Sequence, residues 1–297
     1  MTSVPAVAVV VPVRNGGALV ERCLSGVAAE SQAIGAELIV VDDGSTDDTL
    51  DVAARYATVL RTERPSGPYV ARNLGWRSTA AEVLVFTDVR CRPREGWLRR
   101  LLEGMEDSQV AIVGGDTLFE DGPRLASRFL HATQPFTAEV CIAHSILPYV
   151  PTCNMAIRRS VLEALGGFPE VRSGGDTRVS WNVQVRGLGA VGFIPEALMD
   201  ARGRDSTVEV ARQWWRYGAE APYIRSEYAN DVLGAARAPR GEVPVRRSVP
   251  RSRWRPMVKV AALLVTAAYR AGFVTSGVRI RWAFSRRPAG GPEQEAS

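Results

Sequence analysis

Four short polar clusters hold most of the side chains with chemistry to offer in the first third of this 297-residue chain. They are Pro12-Val13-Arg14-Asn15-Gly16-Gly17, Val41-Asp42-Asp43-Gly44-Ser45-Thr46-Asp47-Asp48-Thr49, Gly67-Pro68-Tyr69-Val70-Ala71-Arg72-Asn73-Leu74-Gly75 and Phe86-Thr87-Asp88-Val89-Arg90-Cys91-Arg92-Pro93. Carboxylates offer hydrogen-bond acceptors and guanidinium groups offer cationic donors, and both recur in these clusters. Ordinary turns and caps explain any one cluster. Four of them, each following an apolar segment, point to a ligand site.

The elements that must position these clusters are legible in the apolar runs. Val7–Val13, Glu37–Val41 and Val83–Thr87 are short, rich in β-branched residues and bounded by turn residues, as strands buried on both faces are. Between them, Ala18–Ala29 places Leu19, Cys23, Leu24 and Val27 on one helical face, and Thr46–Tyr56 and Tyr69–Thr79 read as further helices. Alternation of strand and helix implies an α/β domain with a mostly parallel central sheet flanked by helices, which binds ligands at the carboxyl edges of its strands. Ala111–Gly115 and Val191–Ile194 read as later strands, and Arg124–Ala132, Arg159–Leu165, Val179–Arg186 and Val208 to about Ala235 as helices. The expected organisation is a domain over 1–236, with halves of about 1–115 and 116–236. A Pro/Arg linker over 237–256, a helical C-terminal extension over 257–285 and a disordered tail over 286–297 follow.

Composition narrows the classes. The chain is 46% hydrophobic and 23% charged, which excludes disorder, and its four cysteines show no CxxC pair, which argues for reduced thiols over zinc or disulfides. The formal net charge of +5 is unevenly spread: residues 240–297 hold 12 Lys and Arg against 3 Glu, and the preceding 239 residues are net acidic by 4. Basicity confined to a tail speaks against nucleic acid as partner and for a membrane surface. Met1 to Pro5 has no basic region of the kind that opens a signal peptide, so a cytoplasmic location is expected.

The clusters VPVRNGG, VDDGSTDDT, GPYVARNLG and FTDVRCRP, followed by PTCNMAIRRSVLEALGGF and SGGD, resemble the family 2 glycosyltransferases in order and approximate spacing over about residues 7–220. The resemblance implies a GT-A fold and an inverting enzyme that moves a sugar from a nucleotide-diphosphate donor to a hydroxyl acceptor. It implies that Asp43, or Asp42 beside it, accepts from the base, that Pro12, Val13 and Arg14 line the base pocket, and that Arg72 and Asn73 stand near the diphosphate. Capping is the preferred reading for Asp47 and Asp48. Asn154 falls in the segment that resembles the acceptor side. Asp176 is the expected base, a helix N-cap being the alternative reading for it. Trp214 and Trp215 are candidates for an aromatic acceptor groove or for packing.

The chain departs from the family pattern at Asp88-Val89-Arg90. Relatives usually carry Asp-x-Asp here to hold Mg²⁺ or Mn²⁺ against the diphosphate; here the second carboxylate is Arg90, and Met199-Asp200-Ala201-Arg202 lacks a histidine found there in relatives. Asp88 is the one candidate metal ligand that remains. Weak or absent metal binding is the expectation, with Arg90 or Arg92 supplying the positive charge. The same departures leave a second reading open, a catalytically weakened protein that binds nucleotide sugars without transferring them.

In the tail, Lys259, Thr266 and Arg270 form one narrow stripe on an otherwise apolar helix, flanked by arginines and by Trp254 and Trp282. The longest uncharged stretch, Val260 to Tyr269, is short for a bilayer, so a helix lying on an anionic membrane is expected in place of a spanning one, with packing on the domain as the alternative. A peripheral location on the inner face of the cell membrane would favour a lipid-linked or cell-envelope glycan acceptor.

Overall fold

The computed structural model describes residues 7–143, 146–229 and 256–285. One eight-stranded sheet organises them, in the order β3-β2-β1-β4-β7-β6-β8-β5. The strands are β1 (Val7–Val13), β2 (Glu37–Asp42), β3 (Thr58–Arg61), β4 (Val83–Thr87), β5 (Cys91–Pro93), β6 (Val110–Phe119), β7 (Asn154–Arg158) and β8 (Ala190–Ala201). β3, β2, β1 and β4 are mutually parallel, β7 runs antiparallel to both β4 and β6, β6 is parallel to β8, and β5 is antiparallel to β8. β6 crosses the boundary expected near residue 115, so the same sheet serves both halves.

Burial on both faces follows from the alternation within β1. Val7, Val9, Val11 and Val13 pack with Val20, Cys23, Leu24 and Val27 of α1 (Ala18–Ile34) and Trp97, Leu98 and Leu101 of α4 (Trp97–Glu103). Ala8 and Val10 face the other layer, with Ala71 and Trp76 of α3 (Pro68–Arg77), Val161 and Leu162 of α7 (Arg159–Leu165) and Val179 and Val183 of α8 (Gly175–Val185). Each fully buried Val or Leu contributes about 1.5–3 kcal/mol relative to exposure, which makes this double-sided strand the anchor of the sheet.

Two element boundaries differ from expectation for local reasons. α2 is only Thr49–Ala53, because the Ser45 and Thr46 amides that would open an earlier helix donate instead to the Asp42 and Asn15 side chains. α8 begins at Gly175, four residues before the expected start, which places Asp176 in its first turn and not at its N-cap. The edge strand β3 carries no buried residue, and the three-residue β5 is too short to leave a pattern, so neither is visible as an apolar run.

The remaining helices close one end of the sheet: α5 (Leu125–Thr133), α6 (Ala138–Ala143), α9 (Thr207–Glu227) and α10 (Pro256–Ser285). Val258, Ala261 and Val265 of α10 face the domain, the latter two packing with Phe129 and Leu130 of α5 and Val210 of α9. Contact between α9 and α10 is as close as backbones allow. A β-carbon on Gly218 would lie 1.9 Å from the Tyr269 carbonyl oxygen, and one on Gly272 2.1 Å from that of Trp215. The opposite face exposes Met257, Val260, Leu263, Leu264 and Val274. α10 matches the expected extension to within one residue, and its Pro256–Ser276 segment is long and apolar enough by length and composition to cross a membrane. Lys259 and Arg270 bound its longest uncharged stretch, and a helix of this length tolerates their long side chains near the ends of an apolar segment. The expected linker, apart from Pro256, and the expected tail lie outside the described residues.

Candidate active site

A cavity of about 720 Å³ opens at the carboxyl ends of β1 and β4, walled on its far side by α8, α9 and α10. A smaller one of about 280 Å³ adjoins it beside β2, and Pro12, Arg14, Pro68, Arg172 and Arg216 line both. The larger volume is in the range of sites that take a small ligand whole.

Asp42 and Asp43 are neighbours with different duties. Asp42 is fully buried; both its oxygens accept from the Ser45 amide at 3.1 and 3.2 Å, and Arg61 lies 3.3 Å away. It shapes the loop and lines neither cavity, so the base-reading alternative that included it is not supported by its position. Asp43 lines the smaller cavity with Pro12, Val13 and Arg14, and its carboxylate is fixed by the Ser66 amide at 2.7 Å, the Gly67 amide at 2.9 Å and the Thr62 hydroxyl at 3.0 Å. Asp47 ties two loops by accepting from the Gly17 and Thr49 amides, and those bonds, the Thr49 hydroxyl first, hold its pKa below the ordinary carboxylate value. Asp48 is the N-cap residue of α2 by position but makes no capping bond with its side chain.

Guanidinium groups dominate the floor of the larger cavity. Arg72, itself buried, pairs with Asp88 at the end of β4 and lies over the Tyr69 ring, 5.3 Å from its centroid. Arg90 also lines the cavity, reaching the Gly203 carbonyl at 3.4 Å. Burial first, and then the Arg204 guanidinium, lower the pKa of Arg90; the same two causes lower that of Arg216. Arg90, Arg204 and Arg216 are partly buried cations lining one cavity, and their mutual repulsion is of the kind a bound anion relieves. Arg92 is not among them: it points to Asp200, 3.6 Å away, which Arg94 holds at 2.6 Å.

Asp176 lines the same cavity. Its Oδ1 accepts from the Tyr69 hydroxyl at 3.1 Å and the Thr177 amide at 2.9 Å. Burial raises its pKa above the ordinary carboxylate value, against the opposing pull of the Thr177 amide, Arg72 and Tyr69. A carboxylate so placed is a competent proton acceptor closer to neutral pH than a solvated one.

Residues 8–166 match the family model described as Glycosyl transferase family 2. The chain belongs to that family. It is 31% identical over 200 residues to the glycosyltransferase AglE of Haloferax volcanii, covering 64% of each chain. It is 30% identical over 227 residues to the pre-mycofactocin glycosyltransferase of Mycobacterium tuberculosis, covering 73% of this chain and 47% of that one. The matched region thus spans between about half and two thirds of the length of these relatives. Among solved structures, the mannosyltransferase PcManGT from Pyrobaculum calidifontis in complex with GDP-Man and Mn²⁺ superposes with a TM-score of 0.57 at 19% identity, over 97% of this chain and 77% of that one. S. aureus TarS residues 1–349 with UDP-GlcNAc superposes with a TM-score of 0.52 at 16% identity, over 94% of this chain and 92% of that one. Both likenesses establish the GT-A type of fold.

In this family 2 chain the candidate metal ligand Asp88 stands among guanidinium groups. The Asp88 carboxylate carries the Arg72 ion pair, Arg90 stands two residues on, and Asp200 is engaged by Arg92 and Arg94. Among the described residues no three His, Cys, Asp or Glu come together as a metal-binding group. The four cysteines are buried and none forms a disulfide.

Other motif residues of the family 2 chain hold the scaffold. Asn73, expected near the diphosphate, is buried between α3 and the turn after α7: it donates to the Phe168 carbonyl at 2.8 Å and accepts from the Phe168 amide and the Trp76 indole. Asn154, expected on the acceptor side, is also buried; it donates to the Asp116 and Ala197 carbonyls and accepts from the Trp97 indole at 2.8 Å. Neither lines a cavity, because each saturates its amide within the core. Trp214 lines the larger cavity with an edge-on contact to Phe129, whereas Trp215 is exposed and lines neither. Arg216 and Tyr217, which follow Trp214 and Trp215 in one segment, line the cavity too; Arg204 and Tyr269 also line it, and sequence reasoning did not select them, since no local pattern marks residues that only tertiary packing brings to a site.

Proposed function

We propose that the chain is an inverting glycosyltransferase that uses a nucleotide-diphosphate sugar without a divalent cation. The observation that carries this reading is the single cavity in which the Arg72, Arg90, Arg204 and Arg216 guanidinium groups and the Asp176 carboxylate both stand. Asp43 accepts from the base in the smaller cavity, beside Pro12, Val13 and Arg14. The acceptor hydroxyl attacks the anomeric carbon as the bond from that carbon to the diphosphate oxygen breaks, and its proton passes to Asp176. Charge growing on the leaving diphosphate is offset by guanidinium groups that are already in place and partly desolvated. Trp214 borders the acceptor.

Turnover measured in excess EDTA, with and without added Mn²⁺, tests the cation-free reading. Equal rates are expected, and a strict requirement for Mn²⁺ that Arg90→Ala leaves untouched overturns it. Proton NMR of the first product formed reads the anomeric configuration and checks inversion. Nucleotide binding without any transfer would return the chain to the sugar-nucleotide-binding alternative.

The reading extends to a cytoplasmic enzyme held at the inner face of the cell membrane through residues 240–287, with a lipid-linked or cell-envelope glycan as acceptor. Its support is the exposed apolar face of α10 together with the basic residues that flank that helix in sequence. Gly218 and Gly272 hold α10 on α9, which favours a helix lying on the surface over one that leaves the domain to span. Flotation with anionic vesicles should carry the full chain and fail for Leu263→Asp/Leu264→Asp; equal behaviour of the two would count against this surface.

A further inference from the structure

We infer that Tyr69 is a positioning residue that holds the Asp176 carboxylate in register with the Arg72–Asp88 ion pair, and that Gly175 lacks a side chain so that Tyr69 can do so. The inference rests on the reading of Asp176 as base and adds how that base is oriented.

The geometry is reciprocal. The Tyr69 hydroxyl donates to Asp176 Oδ1 at 3.1 Å and accepts from the Asp176 backbone N–H at 3.3 Å. One phenol therefore fixes both the carboxylate and the first turn of α8 that carries it. The ring is buried, stacks on Phe168 with centroids 5.7 Å apart and 27° between planes, and carries the Arg72 guanidinium on its face. Its other neighbour is the backbone of Gly175: a β-carbon there would lie 2.8 Å from Cε1 and Cζ of the ring, a separation that real β-carbons do not show. Any side chain at 175 would push the hydroxyl off Asp176. Because Arg72 also pairs with Asp88, the chain Asp88, Arg72, Tyr69, Asp176 links the end of β4 to the N-terminus of α8 across the cavity floor.

Tyr69 acts as donor and not as a second base. Burial first, and then the Asp176 charge, raise its pKa well above the ordinary value, so the hydroxyl keeps its proton. Other groups also face Asp176: Arg72 from α3, Cys141 from α6, Tyr149 and the Thr152 backbone from the segment before β7, and Tyr217 from α9. Tyr69→Phe removes only the hydroxyl and leaves these in place.

Carbon-13 carboxyl NMR of aspartate-labelled full chain follows Asp176 directly, its resonance identified by its absence in Asp176→Asn. In Tyr69→Phe the titration midpoint should rise by about one pH unit, the acid limb of kcat should move with it, and kcat should fall roughly tenfold, as the loss of one hydrogen bond to a charged group implies. The Kd for nucleoside diphosphate should stay within about twofold, because the ring beneath Arg72 remains; Tyr69→Leu, which removes the ring, should weaken it as well. Gly175→Ala should reproduce the Tyr69→Phe midpoint by displacing the same hydroxyl. An unmoved midpoint in folded Tyr69→Phe and Gly175→Ala overturns the inference. Failure of the base reading shows separately, as turnover retained by Asp176→Asn.

Discussion

The two walls of the cavity are built differently. On the strand side, the loops after β1 and β2 are held by side-chain bonds to backbone amides, within one loop from Asp42 to Ser45 and Asp47 to Thr49, and between loops from Asn15 to Thr46 and from Asp43 to Ser66 and Gly67. On the helical side, Arg204 from the loop after β8 lines the cavity with Arg216 and Tyr217 of α9 and Tyr269 of α10, groups far apart in sequence. The difference teaches that a dense motif marks a rigid scaffold as readily as a ligand contact. Asp42 and Asn73 sit in the most motif-like segments and face the protein, whereas Arg204 belongs to no motif and faces the cavity.

The largest expected effect lies where the walls meet. Asp176→Asn should lower turnover by about 10²–10⁴-fold while leaving nucleotide affinity unchanged, as steady-state rates and calorimetry would show. Its stability effect has a definite sign. Burial raises the folded-state pKa of Asp176 above its ordinary 3.8, so the folded chain loses stability as pH rises from that value through the folded pKa. The Asn variant avoids this loss: it should melt above the parent at pH 7 and lose that advantage as pH falls toward 3.8. A lower melting temperature at pH 7 would count against the buried carboxylate.

Next comes the scaffold. Asn154→Ala strands the Trp97 indole and two buried carbonyls and should cost about 3 kcal/mol in urea unfolding, with nucleotide affinity of the folded chain unaltered. A tenfold loss of affinity at full stability would move Asn154 from scaffold to site.

Arg90→Ala against Arg92→Ala divides two arginines two residues apart. Nucleoside diphosphate should bind about tenfold more weakly to the first and within about twofold of normal to the second, by calorimetry. Equal losses would erase the distinction between the cavity cluster and the Asp200 pair. The smallest effect is expected at the paired tryptophans: Trp214→Ala should raise the acceptor KM several-fold and Trp215→Ala leave it unchanged, since only the first lines the cavity.

Much of the strand wall was legible because its determinants are local. The runs at Val7–Val13 and Val83–Thr87 appear as strands with the expected limits, and Asp43, Arg72, Asp88 and Arg90 reach the cavities because strand ends deliver them there. Asp176 was legible as a residue but not as a helix position, since Gly175 looks like a breaker until Tyr69 is seen lying over it. The small edge strands left no pattern, and residue type alone could not say which of two adjacent aspartates, or two adjacent tryptophans, turns toward a cavity.

The sequence by itself determined the double-sided strands, the carboxyl edge at which the polar clusters gather and the family to which the chain belongs. Those features depend on patterns within a few residues, or on the order of such patterns. Tertiary structure alone decided which arginines share one cavity, that Asp42, Asn73 and Asn154 spend their polar groups inside the protein, and that α10 closes the site through Gly218 and Gly272. Each of those outcomes is a contact between distant segments, set by packing and hydrogen-bond saturation, and no local pattern encodes it.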